Sequence, residues 1–250
     1  MNMKNLIVII IVFLAVVSCK EKAKEPSEES VEEIEKTPEE DQNWTTLFNG
    51  NSFEGWHFYR ASEVTTPWKI ENGAMVFYPP KKRAEGVTYN IVTDKSYTNF
   101  VLSLEWKISE GGNSGVFWGI YEDEKYKHPY ETGPEIQVLD NEKHPDAKNG
   151  PIRQAGALYD MFSPTTEAVK AAGEWNQYVI TVNHKVNEAS VVLNHKEIAK
   201  FPLSGPIWEK MIANSKFASW EGFAKYKTGK IGLQDHNDVV SYRNIKIKEL

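Results

Sequence analysis

The chain has 250 residues, of which 35 are acidic, 29 are lysine or arginine and one is cysteine. A single cysteine excludes an intrachain disulfide, so the fold must be stabilised by its core. The net charge is −6, and it comes almost entirely from one acidic segment near the N-terminus. We therefore expect no basic surface of the kind that binds nucleic acid.

Residues 1–19 have the pattern of a secretory signal peptide. Lys4 precedes an apolar run over residues 6–17, and Ser18 is followed by Cys19. The VVSC ending resembles the lipobox of bacterial lipoproteins, in which the cysteine becomes the lipidated N-terminus. An ordinary signal peptide or short membrane anchor is the alternative. We expect lipidation at Cys19 and a lipid-anchored protein of the bacterial cell envelope, at the outer membrane or the periplasmic face.

Residues 20–41 form an acidic segment of low complexity. The segment holds ten acidic residues, four lysines and few apolar side chains. Such a composition cannot bury a core and predicts a disordered tether. Residues 42–250 contain no Pro-, Gly- or Ser-rich break, and we expect them to form one domain.

Most elements predicted after the tether are strands. Alternation of apolar and polar residues predicts strands in 68–77 (a hairpin turning at Asn72-Gly73), 100–108, 175–185, 189–198 and 239–250. One helix is predicted between Ser204 and Asn214, with Ser204 as its N-cap and Pro206 in its first turn. Its apolar stripe would consist of Ile207, Trp208, Met211 and Ile212.

The aromatic content narrows the fold class. The chain has 8 Trp, 11 Tyr and 11 Phe, which suit the wide core of a sandwich. Many strands and few helices predict an all-β sandwich of jelly-roll type, with one or two short helices. Exposed aromatic side chains on such sandwiches often bind sugars.

The stretch EIQVLD, from Glu135 to Asp140, is the first candidate site. In a regular strand Glu135 and Gln137 face one way and Asp140 the other, unless a bulge brings Asp140 to the same face. The frame resembles the E-x-D-x-x-E of laminarinase-type glycosidases. Retaining hydrolysis needs two carboxyl groups about 5 Å apart, so the central amide and the shorter final carboxylate weaken that mechanism. A half-buried strand with a solvated face is the other interpretation.

A second candidate is the polar cluster in GLQDHND (232–238) and YRNI (242–245). It contains Gln234, Asp235, His236, Asp238 and Arg243. Histidine beside carboxylates can act as an acid or base near neutral pH. The planar fork of Arg243 can hold an oxyanion. The alternative is a polar turn in which the aspartates accept loop amides and Arg243 pairs with one of them.

Three further residues are weaker candidates. Asn113 lies in GGNSGVF (111–117), where glycines bring the backbone close to another strand or to a ligand. Tyr159 lies in AGALYD (155–160) and could equally be a packing residue. Lys216 follows the helix, where it could simply favour the C-terminal dipole.

No metal or other cofactor is predicted. The residues considered as ligands, His144, His236, Glu135, Asp140 and Asp160, lack the spacing of a zinc site. A structural calcium held by loop oxygens would be compatible with a jelly roll.

Eight motifs occur in order and together resemble the 3-keto-disaccharide hydrolase family. They are LFNG…GW (47–56), FVLSLEWKI, GGNSGVF, PEIQVLD, AGALYD, GEWN (173–176), SKF (215–217) and GKIGLQDH…YRNIKI (229–247). The resemblance covers residues 44–250. It implies a concanavalin-like jelly roll acting on an oligosaccharide or glycoside already oxidised at carbon 3. A sugar 3-oxidoreductase is then implied as a functional partner.

The implied chemistry needs one base rather than two close carboxylates. A ketone at carbon 3 acidifies the hydrogen on carbon 2, so a base can form an enolate, the carbon-1 oxygen can leave, and water can add back. Glu135 or His236 would be the base, Arg243 or Lys216 would steady the enolate, and Asp140 would assist proton transfer. The residues left for substrate binding are Asn113, Gln137, Tyr159, Gln234 and Asp235. A non-catalytic carbohydrate-binding module and an ordinary retaining β-glucanase are the competing interpretations.

Overall fold

The computed structural model describes residues 43–83 and 86–250. The predicted signal peptide with Cys19 and the predicted acidic tether lie outside the described residues. Within the part of the chain that is described, no helix combines the length and apolar character needed to cross a bilayer.

Strands dominate the described residues, with one α-helix and three short 3-10 turns. The strands are β1 (Thr45–Phe48), β2 (Trp56–Phe58), β3 (Trp68–Glu71), β4 (Ala74–Phe77), β5 (Ile91–Thr93), β6 (Phe100–Ile108), β7 (Asn113–Ile120), β8 (Glu135–Leu139), β9 (Asn176–Asn183), β10 (Glu188–Leu193), β11 (Lys196–Phe201), β12 (Lys230–Leu233) and β13 (Val240–Glu249). The helix α1 spans Pro206–Ala213, and the 3-10 turns span Pro129–Glu131, Pro145–Asn149 and Pro151–Arg153.

The strands form two antiparallel sheets that share a core. The larger sheet has the order β11-β10-β9-β6-β13-β4-β3, with β1 added beside β13, and the smaller has the order β2-β5-β12-β7-β8. Aromatic side chains of the larger sheet, such as Trp106 and Tyr178, pack with aliphatic side chains of the smaller, such as Ile136 and Val138. The predicted fold class, an all-β concanavalin-like jelly roll with a short helix, is confirmed.

Two buried tyrosines of the larger sheet hold the strands of the smaller one. The Tyr178 hydroxyl donates to the backbone carbonyl of Gln137 at 2.6 Å. The Tyr242 hydroxyl lies 2.8 Å from the Ser114 hydroxyl. Both contacts cross the core, so they hold β7 and β8 in place from the core side of the smaller sheet.

Local pattern predicts several elements correctly. The strand over residues 100–108 is confirmed as β6, with its alternate side chains in the core. The hairpin β3–β4 turns at Asn72 and Gly73, whose φ values of 51° and 74° are those that a two-residue hairpin turn requires.

The predicted strand over residues 189–198 is in fact two strands, β10 and β11. The chain reverses at Asn194 and His195, which have φ values of 48° and 68°. The Asn194 side chain stabilises this turn, since its oxygen accepts the Gln177 amide and its nitrogen donates to the Ala168 carbonyl. Contacts from outside the segment therefore override its strand pattern.

The predicted helix is present, but two details of it are wrong. Gly205 rather than Ser204 occupies the N-cap position, and the Ser204 hydroxyl donates to the Asn187 side chain at 2.7 Å instead. Ile207 is 65% exposed, whereas Trp208 is buried in the core. The apolar stripe is thus narrower than predicted.

Candidate functional site

A cavity of about 390 Å³ lies on the face of the smaller sheet that points away from the core. Glu135 and Gln137 of β8 line it, and they alternate with Ile136 and Val138, which belong to the core. Asn113 of β7 lies beside them. Loops cover this face, so that Gln137 is almost fully buried although it faces outward from the sandwich.

Seven of the predicted site residues and three aromatic residues line this cavity. The predicted residues are Asn113, Glu135, Gln137, Tyr159, Lys216, Gln234 and His236. The aromatic residues, which sequence reasoning did not place there, are Tyr130, Phe217 and Trp220. Two aromatic-rich loops, around residues 126–130 and 217–226, were the only sequence signal for them.

Gly115 makes room for the Glu135 side chain. It lies on β7, next to β8, and a Cβ at this position would be 2.6 Å from the Glu135 carboxyl carbon. Any side chain at position 115 would therefore displace the carboxyl group. This glycine therefore allows close approach of a side chain from the neighbouring strand, and that side chain lines the cavity.

Glu135 and Lys216 form an electrostatic pair in the cavity. Burial raises the pKa of Glu135 to about 8, against the opposing effects of the Lys216 charge and a hydrogen bond from Gln234. Burial also lowers the pKa of Lys216, and the Glu135 charge opposes that shift. The two pKa values therefore move toward each other, and perturbed pKa values of this kind cluster at functional sites.

Three amide side chains present buried oxygens that have no hydrogen-bond partner among the described residues. They are Oδ1 of Asn113, Oε1 of Gln137 and Oε1 of Gln234. The Gln137 nitrogen donates to the Arg153 carbonyl at 3.3 Å, and Gln234 bonds to Glu135, which leaves their oxygens free. Buried acceptors are normally satisfied, so these three oxygens retain the capacity to accept further hydrogen bonds.

Hydrogen bonds to two neighbouring side chains position Tyr159 at the cavity wall. Its hydroxyl donates to Asp146 at 2.8 Å and accepts from Arg153 at 2.7 Å. Arg153 also pairs with Asp160 at 2.7 Å, and Asp160 accepts the backbone amide of Lys216 at 2.6 Å. The ammonium of Lys216 lies 4.3 Å from the centroid of the Tyr159 ring. This network orients the lysine, and Asp146 and Arg153 were not predicted because they lie outside the motifs.

His236 lies at the exposed rim of the cavity, close to a second histidine. The rings of His236 and His144 are 6.0 Å apart, and candidate ligand atoms of His144, His236 and Asp238 all lie within 4.8 Å of one another. Two histidines and a carboxylate are the side chains that could hold a divalent ion here. In the structure Nδ1 of His144 accepts the Asp146 amide at 3.1 Å. Nε2 is then its remaining nitrogen.

Asp140 does not line the cavity. From Glu135 to Leu139, β8 pairs with β7 without a register shift, so the bulge that would have turned Asp140 toward Glu135 is absent from these two strands. The Asp140 carboxylate instead accepts the backbone amides of Gly111, Glu142 and Lys143, at 2.7, 3.0 and 3.3 Å. It stabilises the end of the strand.

Asp235 and Arg243 also lie away from the cavity. Asp235 is buried against Arg83, at 2.8 Å, and accepts the Tyr89 amide. Arg243 binds Glu105 through two nitrogens at 2.7 Å and stacks over Trp175 at 4.0 Å. Arg243 follows the core residue Tyr242 on β13, so its side chain points outward from the larger sheet.

The fold and the site together define a jelly-roll protein with a polar, aromatic-lined cavity of the kind that binds carbohydrate. Residues 43–248 match the family described as 3-keto-alpha-glucoside-1,2-lyase-like domains, and the chain belongs to this family. A relative in Bacteroides thetaiotaomicron, named 3-keto-disaccharide hydrolase, is 33% identical over 240 residues, which cover 85% of this chain and 80% of the relative.

Solved structures agree with this membership. A proposed glycosyl hydrolase from Parabacteroides distasonis superposes with a TM-score of 0.76 at 32% identity, covering 84% of this chain and 94% of that one. A second from the same organism has a TM-score of 0.60 at 27% identity, covering 83% of this chain and 99% of that one. The protein is therefore a glycoside hydrolase-like enzyme.

Proposed function

We propose that the protein cleaves the glycosidic bond of 3-keto-glycosides, with Glu135 as the base that removes the proton on carbon 2. The observation that carries this proposal is a buried carboxyl with a raised pKa, placed beside a lysine and among three unpaired amide oxygens. The name of the Bacteroides thetaiotaomicron relative supports the substrate class.

Proton removal comes first. The Glu135 carboxylate takes the hydrogen from carbon 2, and the electron pair forms a carbon 2–carbon 3 double bond with negative charge on the carbon-3 oxygen. The Lys216 ammonium is the cation that faces Glu135 and can stabilise that charge. A pKa near neutral pH suits a general base, because the carboxylate is then both available and strongly basic.

Elimination and hydration complete the reaction. The enolate reforms the ketone and expels the carbon-1 oxygen, which takes up the proton held by Glu135. Water then adds across the carbon 1–carbon 2 double bond, with its oxygen on carbon 1 and a proton returned to carbon 2. One water is consumed and the Glu135 carboxylate is regenerated.

The cavity fits this route better than double displacement. Among the described residues that line it, Glu135 is the sole carboxyl group. A retaining glycosidase needs a second carboxyl about 5 Å from the first. Gln137 is an amide, and Asp140 is bound to backbone amides elsewhere. We assign the base role to Glu135 rather than to the exposed His236, which is placed to contact substrate or a divalent ion at the rim.

The test compares 3-keto-trehalose with unmodified trehalose and measures released glucose. We expect release from the keto sugar alone, lost in Glu135→Gln and retained in Asp140→Asn, which makes the same carboxyl-to-amide change outside the cavity. Release from unmodified trehalose, or unchanged release in Glu135→Gln, would contradict the proposal. Binding of sugar without any release would indicate a carbohydrate-binding module instead.

Two wider proposals follow from the same chemistry and from the N-terminal motif. Elimination does not create the ketone, so a sugar 3-oxidoreductase must supply the substrate. The VVSC motif supports lipid anchoring at Cys19 in the cell envelope. If so, Cys19→Ser should move the protein from the membrane fraction to the soluble fraction, and an unchanged distribution would refute the anchor.

A further inference from the structure

A second cavity, of about 430 Å³, adjoins the first. Tyr130 and Trp220 line both cavities, so this aromatic pair is the wall between them. Both volumes fall within the range of ligand pockets, roughly 300–1,000 Å³. The first cavity contains the groups proposed for the chemistry, and the second contains none of them.

Aromatic rings that pack against one another line the second cavity. The His128 ring stacks on Tyr130 with a centroid distance of 4.8 Å and an interplanar angle of 14°. The rings of Tyr130 and Trp220 are 5.8 Å apart, and Trp220 packs edge-on against Phe217 at 5.0 Å. A pyranose ring has apolar C–H faces that such rings can cover.

Tyr126 also lines the second cavity, and Gly222 leaves space for its ring. A Cβ at Gly222 would lie 2.5 Å from atoms of the Tyr126 ring. Its lining also includes charged side chains, namely Glu131 and the exposed pair of Lys125 and Glu221. Aromatic rings and charged side chains in one lining match the apolar faces and the hydroxyl groups of a sugar.

We infer that the second cavity is the subsite for the sugar that leaves. The 3-keto ring occupies the first cavity, and the ring attached through the carbon-1 oxygen crosses the Tyr130–Trp220 pair into the second. This inference rests on the proposed function, because it is the reaction that defines a leaving group. It makes two-ring substrates preferred over glycosides with small leaving groups.

The experiment compares 3-keto-trehalose with methyl 3-keto-glucoside, whose leaving group is too small to reach the second cavity. His128→Ala removes the ring that supports Tyr130, and Gly222→Val displaces Tyr126. For each variant we expect kcat/KM on 3-keto-trehalose to fall about tenfold, mainly through KM, corresponding to about 1.4 kcal/mol. For the methyl glycoside, kcat/KM should change less than about twofold, which corresponds to only about 0.4 kcal/mol.

The conservative variant His128→Phe keeps a planar ring and should restore the wild-type preference. Equal losses on both substrates would overturn the inference, since they would indicate damage to the catalytic cavity. No loss on either substrate would overturn it as well.

A binding measurement separates this inference from the proposed function. Calorimetry with Glu135→Gln would compare unmodified trehalose with methyl glucoside, without any turnover. Tighter binding of trehalose, lost in Glu135→Gln combined with His128→Ala, supports the subsite even if the wild type cleaves nothing. Equal binding of the two sugars refutes the subsite even if cleavage of keto sugars is observed.

Discussion

Glu135 and Asp235 are both buried carboxyls with a cation nearby. They differ in how many groups of the protein pair with the carboxyl. Asp235 has Arg83 at 2.8 Å and the Tyr89 amide at 2.5 Å. Burial raises its pKa, but Arg83 and the amide oppose that shift. Glu135 has the Gln234 amide as its hydrogen-bond donor and Lys216 as a neighbouring charge, and burial raises its pKa to about 8.

The difference separates a carboxyl whose partners stabilise the structure from the carboxyl to which we assign the role of base. The groups around Asp235 all come from the protein, and they connect the turn after β12 to the segment before β5. Around Glu135, the acceptor oxygens of Asn113, Gln137 and Gln234 have no partner among the described residues. Unpaired buried acceptors of this kind can accept further hydrogen bonds, whereas the Asp235 carboxylate already accepts from Arg83 and the Tyr89 amide.

The strongest way to break this comparison is to make the same change at both carboxyls. Glu135→Gln should lower kcat on a 3-keto-disaccharide by about 10³-fold, within the range for losing a general base. Asp235→Asn should keep kcat in the folded protein but lower the free energy of unfolding by about 2 kcal/mol, because the buried pair with Arg83 is lost. Urea unfolding and steady-state kinetics measure the two effects, and a loss of kcat in Asp235→Asn would contradict the distinction.

Adding a methyl group beside Glu135 tests whether its position matters as much as its identity. In Gly115→Ala the new Cβ would collide with the Glu135 carboxyl, so we expect kcat to fall about 10²-fold, as for a displacement of roughly 1 Å. Glu135→Asp withdraws the carboxyl oxygen that would lie closest to this Cβ, although an atom at the Cγ position would still be 2.8 Å from it. The two substitutions should therefore be non-additive when combined, and strictly additive kinetics would argue against the contact.

The pH dependence of kcat/KM tests whether Glu135 and Lys216 are the groups that titrate during the reaction. Because the pKa of Glu135 is raised to about 8, the base form increases as pH rises through about 8, and the rate should rise with it. At higher pH the rate should fall as Lys216, whose pKa is lowered by burial, loses its proton. The profile should therefore be bell-shaped.

Lys216→Met is the matching variant for this profile. It removes the charge that opposes the shift of Glu135, so the acid side of the profile should move to higher pH and the alkaline side should disappear. The maximum rate should fall about 10²-fold through loss of enolate stabilisation. An acid side that stays in place would show that another group is the base.

Periodicity predicted much of the fold and the polar face of β8, since alternation alone places Glu135 and Gln137 together. It could not place residues whose surroundings are distant in the chain. His144 meets His236 only when the loops fold over the smaller sheet. Likewise, the Asp140 carboxylate accepts the Gly111 amide, which lies far from it in the chain. Tyr130 meets Trp220 only in the tertiary structure. The aromatic-rich loops indicate which residues are available, but no local pattern predicts which of them meet in the folded protein.

The smallest expected effect is at Arg243, because an arginine can either hold an oxyanion in a site or form an ion pair that stabilises structure. Its guanidinium is satisfied by Glu105 and Trp175 on the outer face of the larger sheet. Arg243→Gln should therefore leave kcat and KM unchanged and lower the free energy of unfolding by no more than about 1 kcal/mol, as for a partly exposed ion pair. Glu105→Gln should have the same small effect, and the double variant should lose less than the sum of the two. A drop in kcat in Arg243→Gln alone would mean that the outer face contributes to the site after all.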